Sequence, residues 1–260
     1  MIFQLEIKQW WKATLLWALI LAGFLSMVIA MYPLMANDIS GIVTMIQSLG
    51  IFSQALKLND LMLDRLMGFY AMEMENMLGI SGAVFAGYMG GKMLAKEEVL
   101  KTSEFLFTHP IKRLRVFLEK LSALFSLILG FNVTIAFLAW LTIHWTQQSV
   151  PLDDFLTMHA VMTLVHLLLG GLTFAVSAFW PQEGLGISLG MVFMMYILNI
   201  LINIDDRLEA FKWVTPFQFA YASDVLNQGP NVKLMVVNII SMTIIIVFAA
   251  IYYAKKDIKS

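Results

Sequence analysis

Six stretches of this chain are long and apolar enough to cross a lipid bilayer, and that limits its fold more than any other feature. They run from about Ala13 to Leu34, Met67 to Lys92, Leu118 to Ile143, Phe155 to Trp180, Leu185 to Ile204 and Leu234 to Ala254. A helix needs roughly 20 mostly apolar residues to span the hydrocarbon core. Lipid offers no hydrogen bonds to the backbone, so only helices and closed barrels can cross it. Runs this continuous do not resemble the short alternating strands of a barrel. The expected fold class is therefore all-α, a polytopic membrane protein with six transmembrane helices in one domain covering residues 1–260.

The composition agrees. Hydrophobic residues make up 60% of the chain and charged residues 13%, whereas soluble domains average about half and about a quarter. A net charge of -1 gives no electrostatic footprint for nucleic acid. The absence of cysteine removes disulfides and thiolate metal sites. Glu6, Lys8 and Lys12 precede a first apolar run too long for a cleaved signal, so that span is expected to be retained.

Lys and Arg concentrate on the cytoplasmic side of membrane proteins. With a cytoplasmic N-terminus, the inner segments hold Lys8, Lys12, Lys92, Lys96, Lys101, Lys112, Arg113, Arg115, Lys120, Lys255, Lys256 and Lys259. The outer ones hold Lys57, Arg65, Arg207, Lys212 and Lys233, which makes 12 against 5 of the 17 basic residues. Both termini are thus expected inside. Residues 1–12 place Phe3, Ile7 and Trp10 opposite Gln4, Glu6 and Lys8. That pattern reads either as an amphipathic helix lying in the interface or as a simple tryptophan anchor. Residues 37–66 and 205–233 read as external segments with short helical character.

Neither an HExxH nor a P-loop sequence occurs, which disfavours an intramembrane enzyme. His159 and His166 are seven residues apart, about two turns, too far for a joint metal pair. Gly79, Gly82, Gly87, Gly90 and Gly91 lie in an apolar run and read as close helix packing. Glu73 and Glu75 either sit at headgroup level or, for Glu73 in particular, line an external gate or cation-attracting vestibule. Asn132, His166 and Asn199 are either interhelical hydrogen-bonding residues or part of a pathway.

Charge is densest in the stretch AKEEVLKTSEFLFTHPIKRLR, residues 95–115. The spacing predicts a helix from Lys96 to about Thr108, with Val99, Leu100, Ser103, Leu106 and Phe107 on one side. Pro110 biases His109 away from helix and ends it. Such a knob either docks a cytoplasmic partner or is a loop anchored by its basic residues.

This arrangement resembles the ABC-2 family of ABC transporter permeases, the membrane subunits of type V exporters. Glu104, Phe105, Leu106, Pro110, Arg113 and Lys120 stand where that family has its motif between spans two and three. Thr215, Pro216, Phe217, Phe219 and Gly229 are similar to its segment before the last span. Where the family often carries an acid in that second segment, this chain has Ala220 and Ala222, with Asp224 following.

The resemblance implies that residues 96–110 form a cytoplasmic coupling helix resting on a separate ABC ATPase subunit. Glu97, Glu98, Lys101, Thr102, Glu104, Phe105, Thr108, His109 and Pro110 would make the contact. It implies that ATP and Mg are bound by that partner and that this chain carries no cofactor of its own. It also implies a second permease subunit, a homodimer mate or a paralogue, in a multi-pass protein of the cell membrane. The expected function is a permease half moving an amphiphilic peptide, antibiotic or lipid. The alternative is a non-transporting assembly or sensory subunit that docks a cytoplasmic partner.

Overall fold

The computed structural model describes residues 2–36, 41, 44–45, 48, 50–55, 57, 65–101, 111–182 and 184–256. Among these, all regular structure is helical. Helix α1 is Ile2–Met35, α2 the short Ile51–Ala55, and α3 Leu66–Glu73. A π-helical turn, Met74–Gly79, joins α3 directly to α4, Ile80–Met93. One turn, α5, follows at Lys96–Val99. The long helices are α6 (Arg113–Trp145), α7 (Leu152–Ser177), α8 (Gly184–Ile204) and α10 (Val232–Lys255). Between the last two lie 3-10 segments at Asp206–Trp213 and Pro216–Phe219, then α9, Ala222–Gln228.

Among the described residues five helices, α1, α6, α7, α8 and α10, are long and apolar enough to cross a membrane. The second predicted run corresponds to an unbroken helical stretch from Leu66 to Met93, divided by the π-turn into pieces of 8 and 14 residues. Most of it is buried, α4 on nearly every side, so this stretch is a central strut of the bundle. Elsewhere the long helices turn apolar side chains outward, with Met194 70% and Phe248 66% exposed. Apolar surface on that scale suits lipid, not water.

The N-terminus differs from the expected separate interfacial helix. Residues 2–12 run without a turn into the first span, within one helix of 34 residues. The physical reason is that no Gly occurs before Gly23 and no Pro before Pro33, so nothing interrupts the backbone ladder. At 1.5 Å per residue such a helix reaches about 51 Å, well beyond a hydrocarbon core of about 30 Å. The excess at its N-terminal end packs against the start of α6, where the Phe3 N–H donates to Glu119 Oε2 at 3.1 Å.

Local chemistry sets the other boundaries. Pro151 precedes α7, with Asp153 and Asp154 in its first turn, where carboxylates complement the helix dipole. Gly229, at φ 79°, and Pro230 turn the chain into α10, whose Asn231 Oδ1 accepts from Leu234 N at 3.2 Å. Pro216 opens its 3-10 turn, and the buried Thr215 hydroxyl donates to Met195 O at 3.1 Å, fastening this segment to α8.

Glycine packing decides how near the central helices stand. A Cβ on Gly91 would lie 2.7 Å from Ser188 Cβ, and one on Gly87 2.6 Å from Val192 Cγ2. On Gly90 it would overlap the Thr173 hydroxyl and the Gly170 carbonyl. Gly79 differs, because a methyl there meets Met162 at an ordinary 3.8 Å. Buried polar groups also join helices. His166 Nε2–H donates to Leu78 O at 3.2 Å, and its Nδ1 lies 2.9 Å from the Asn132 side-chain oxygen. Tyr70 Oη and His159 Nε2 are 2.7 Å apart. Asn132 and His166 therefore act as interhelical hydrogen-bonding residues.

Gly90→Ala is expected to lower the thermal unfolding midpoint, with a loss of about 1–3 kcal/mol for overpacking. Gly23→Ala, which meets nothing within 4 Å, should leave the midpoint unchanged or raise it slightly. Differential scanning fluorimetry of the two variants in detergent checks the contrast.

Candidate functional site at the charged end of the bundle

One end of the bundle gathers the start of α1, the end of α4, all of α5, the start of α6 and the end of α10. Several of the described ion pairs meet here. Lys120, on the second turn of α6, is fully buried. Its ammonium donates to Met93 O at 2.7 Å, makes a very close ion pair with Glu97, and lies 3.4 Å from Glu6 Oε1. Glu6, itself 3% exposed, is shared with Lys96, whose Nζ reaches Glu6 Oε2 and Gln9 Oε1, both at 2.6 Å.

Each partner answers a physical need. A buried ammonium is tolerated only when charge and hydrogen bonds replace its water. Glu97 and Glu6 supply the charge. Met93 O, at the C-terminal end of α4, is one of the carbonyls a helix leaves without an internal partner, and the dipole there favours a cation. A single side chain thus ties three segments together: α1 through Glu6, the α4–α5 junction through Met93 and Glu97, and α6 through its own backbone.

Two further links extend the cluster. Lys256 Nζ reaches the two oxygens of Glu98 at 3.0 and 2.8 Å and Ala178 O at 3.2 Å, joining α5 to the ends of α7 and α10. Arg115 Nε donates to Glu119 Oε1 at 2.7 Å, while Glu119 also holds the Phe3 N–H. Since Glu6 and Lys256 both attach to α5, the two ends of the described chain share one face. A groove of about 460 Å³ opens beside the cluster, lined by Leu5, Glu6, Gln9, Lys96, Glu97 and Leu100 among others.

The predicted helix over residues 96–110 takes another form at its beginning. Helix α5 stops after one turn, and Lys101 adopts φ 55°, a left-handed conformation that ends helices. Lys120 and Lys256 draw Glu97 and Glu98 inward against the bundle, while Lys101 is exposed. Thr102, Glu104, Phe105, Thr108, His109 and Pro110 lie outside the described residues, as does Glu183.

The remaining predicted residues sit elsewhere. Glu73 is partly buried at the end of α3. Glu75, in the π-turn, accepts from Ala222 N at 2.7 Å. Asn199 is buried on α8, where its backbone carbonyl accepts from Gln218 Nε2 at 3.2 Å and Tyr221 Oη at 3.3 Å. Glu75 and Asn199 line one small cavity, far along the bundle from Lys120. Sequence reasoning missed Glu6 and Lys256 as members of the charged cluster. The available signal was an acid or base at the edge of an apolar run, which needs a buried partner more than an exposed charge does.

A family model described as ABC-2 family transporter protein matches residues 1–258 of the chain. No curated protein and no solved structure matches it.

Lys120→Met takes from Glu97 its close ammonium and leaves Glu6 with Lys96 alone, and breaking a buried pair this way costs about 3–5 kcal/mol. The unfolding midpoint of this variant should fall sharply. Replacing Glu97 by Gln in the same chain should restore much of the loss, because Glu6 keeps the Lys96 ammonium at 2.6 Å and the carboxylate that lost its close partner is gone. Lys212→Ala, which removes an exposed pair with Glu209, should change the midpoint little.

Proposed function

The chain belongs to the ABC-2 transporter family, and from that premise we propose that it is the membrane-spanning permease subunit of an ATP-driven exporter. The family establishes a transport subunit, not a catalytic one. In the proposed complex, six spans, with Leu66–Met93 as the second, form half of a translocation pathway in the cell membrane. Both termini and the charged end face the cytoplasm. A second permease subunit completes the pathway, and separate ABC ATPase subunits bind ATP and Mg.

The observation that carries this reading is the Lys120 cluster. Residues 96–110 are the proposed ATPase-docking segment, through Glu97, Glu98, Lys101, Thr102, Glu104, Phe105, Thr108, His109 and Pro110. Its first turn is clamped by ion pairs to α1, α6 and α10. A push on the segment therefore reaches several long helices through buried charges, which resist separation more than exposed ones do. Movement of the segment without the bundle would leave Lys120 uncompensated. The cargo proposed is an amphiphilic compound such as a peptide, antibiotic or lipid, which suits a pathway bounded by apolar helices.

Glu104→Arg is expected to reduce co-purification of the ATPase subunit roughly tenfold, the effect of about 1.4 kcal/mol at an interface. Membrane insertion and the unfolding midpoint of the permease should stay unchanged. Normal ATPase recovery and turnover with this variant would remove the docking assignment.

A further inference from the structure

We propose that the small cavity beside the π-turn is a binding site for one dehydrated monovalent cation, held between Glu75 and Asn199. The cavity, about 20 Å³, lies where the π-turn meets α8 and the segment before α9, and Asn76, Gly79, Tyr196 and Tyr221 help to line it. That volume admits about one water-sized body.

Its polar lining is rich in oxygen, and three nearby donors are committed. The Ala222 N–H serves Glu75 Oε2 at 2.7 Å, Asn76 Nδ2 serves Met72 O at 2.9 Å, and the Tyr221 hydroxyl serves Asn199 O at 3.3 Å. Asn199 is only 4% exposed, yet its Oδ1 has no hydrogen-bond partner among the described residues. Buried acceptors are rarely left so. The site therefore presents a carboxylate and an amide oxygen and asks for something positive between them.

Charge balance points the same way. The charged groups that act on Glu75 are Asp224 and Lys57. Lys57 is already paired with Asp224 at 2.6 Å and lies over the Tyr221 ring at 4.6 Å. With Lys57 committed to Asp224, a Glu75 carboxylate has no ammonium of its own, and in an enclosed place its attraction for a cation is strong. Among the described residues no group of three His, Asp or Glu side chains could hold a metal ion, and divalent cations commonly draw on several carboxylates. One carboxylate with neutral oxygens suits a single positive charge. An ion there would tie the π-turn to α8 and to the 215–228 segment, holding this end of the bundle closed.

The test uses the purified full chain in nanodiscs, without ATPase, so its outcome is independent of the docking assignment. Unfolding midpoints are read by tryptophan fluorescence in sodium, potassium or N-methyl-D-glucamine chloride at equal ionic strength. In the wild type, sodium or potassium should raise the midpoint saturably, by about 5 °C at saturation. Glu75→Gln and, separately, Asn199→Ala should each abolish that ion-specific rise. If Glu75→Gln does not fold, the wild type and Asn199→Ala decide. Equal midpoints in all three salts would overturn the site. So would a rise that persists in Glu75→Gln, or a wild-type shift that follows pH alone and assigns a proton.

Discussion

The Lys120 ammonium is the contact on which the charged end of this protein depends. A lysine with no exposure has exchanged all its water for Glu97, Glu6 and the Met93 carbonyl, and none of these can leave alone without stranding a charge. The consequence is mechanical. Segments that are distant in sequence, near residues 6, 97 and 120, are joined into one contact network. Through Glu98 and Lys256 that network also includes the last helix. The charged clamp stands at the point where the proposed docking segment leaves the bundle.

The interior is organised by a different economy of space. Helix α4 carries so many small residues that α7 and α8 approach its backbone directly. Gly90 faces Gly170 and Thr173, and Gly91 faces Ser188. Close backbones leave little room for large side chains, so polar contacts there are short and specific. The π-turn preceding α4 adds one local departure from the regular ladder, a feature often associated with function. Leu78 O within it receives His166, and Glu75 from the same turn reaches the backbone of Ala222. One irregular turn thus serves two partners that a regular helix would place differently.

The two ends of the bundle solve the problem of buried polarity in opposite ways. At the charged end, ions are matched with ions. At the other, neutral groups dominate: Asn203 donates to Ala55 O at 2.8 Å and makes a close hydrogen bond to Tyr221, while Gln218 and Tyr221 converge on the Asn199 carbonyl. Charges are present there too: Glu75 is set among amides and phenols, and Lys57 pairs with Asp224. A broader polar cavity of about 690 Å³, lined by Lys57, Asp206, Glu209, Lys212, Gln218 and Asp224 among others, adjoins the same segment.

Apolar run length by itself determined the helical membrane character and the positions of the five long helices, because lipid permits few alternatives to a continuous helix. It also marked about Met67 to Lys92 as a span, where the structure has a buried helical stretch broken by a π-turn, and it indicated the glycine packing there, since small residues in an apolar run have few other uses. Pattern misjudged residues 1–12, where amphipathicity suggested a separate helix but the lack of a breaker kept α1 whole. The start of residues 96–110 likewise read as a longer helix. Periodicity cannot register that Lys120 and Lys256 pull Glu97 and Glu98 inward while Lys101 turns the chain. Which charges pair is a matter of three-dimensional distance. Glu6, Lys96, Glu97 and Lys120 are ordinary charged residues in the sequence, and only the packing of α1 against α6 made them a single buried cluster.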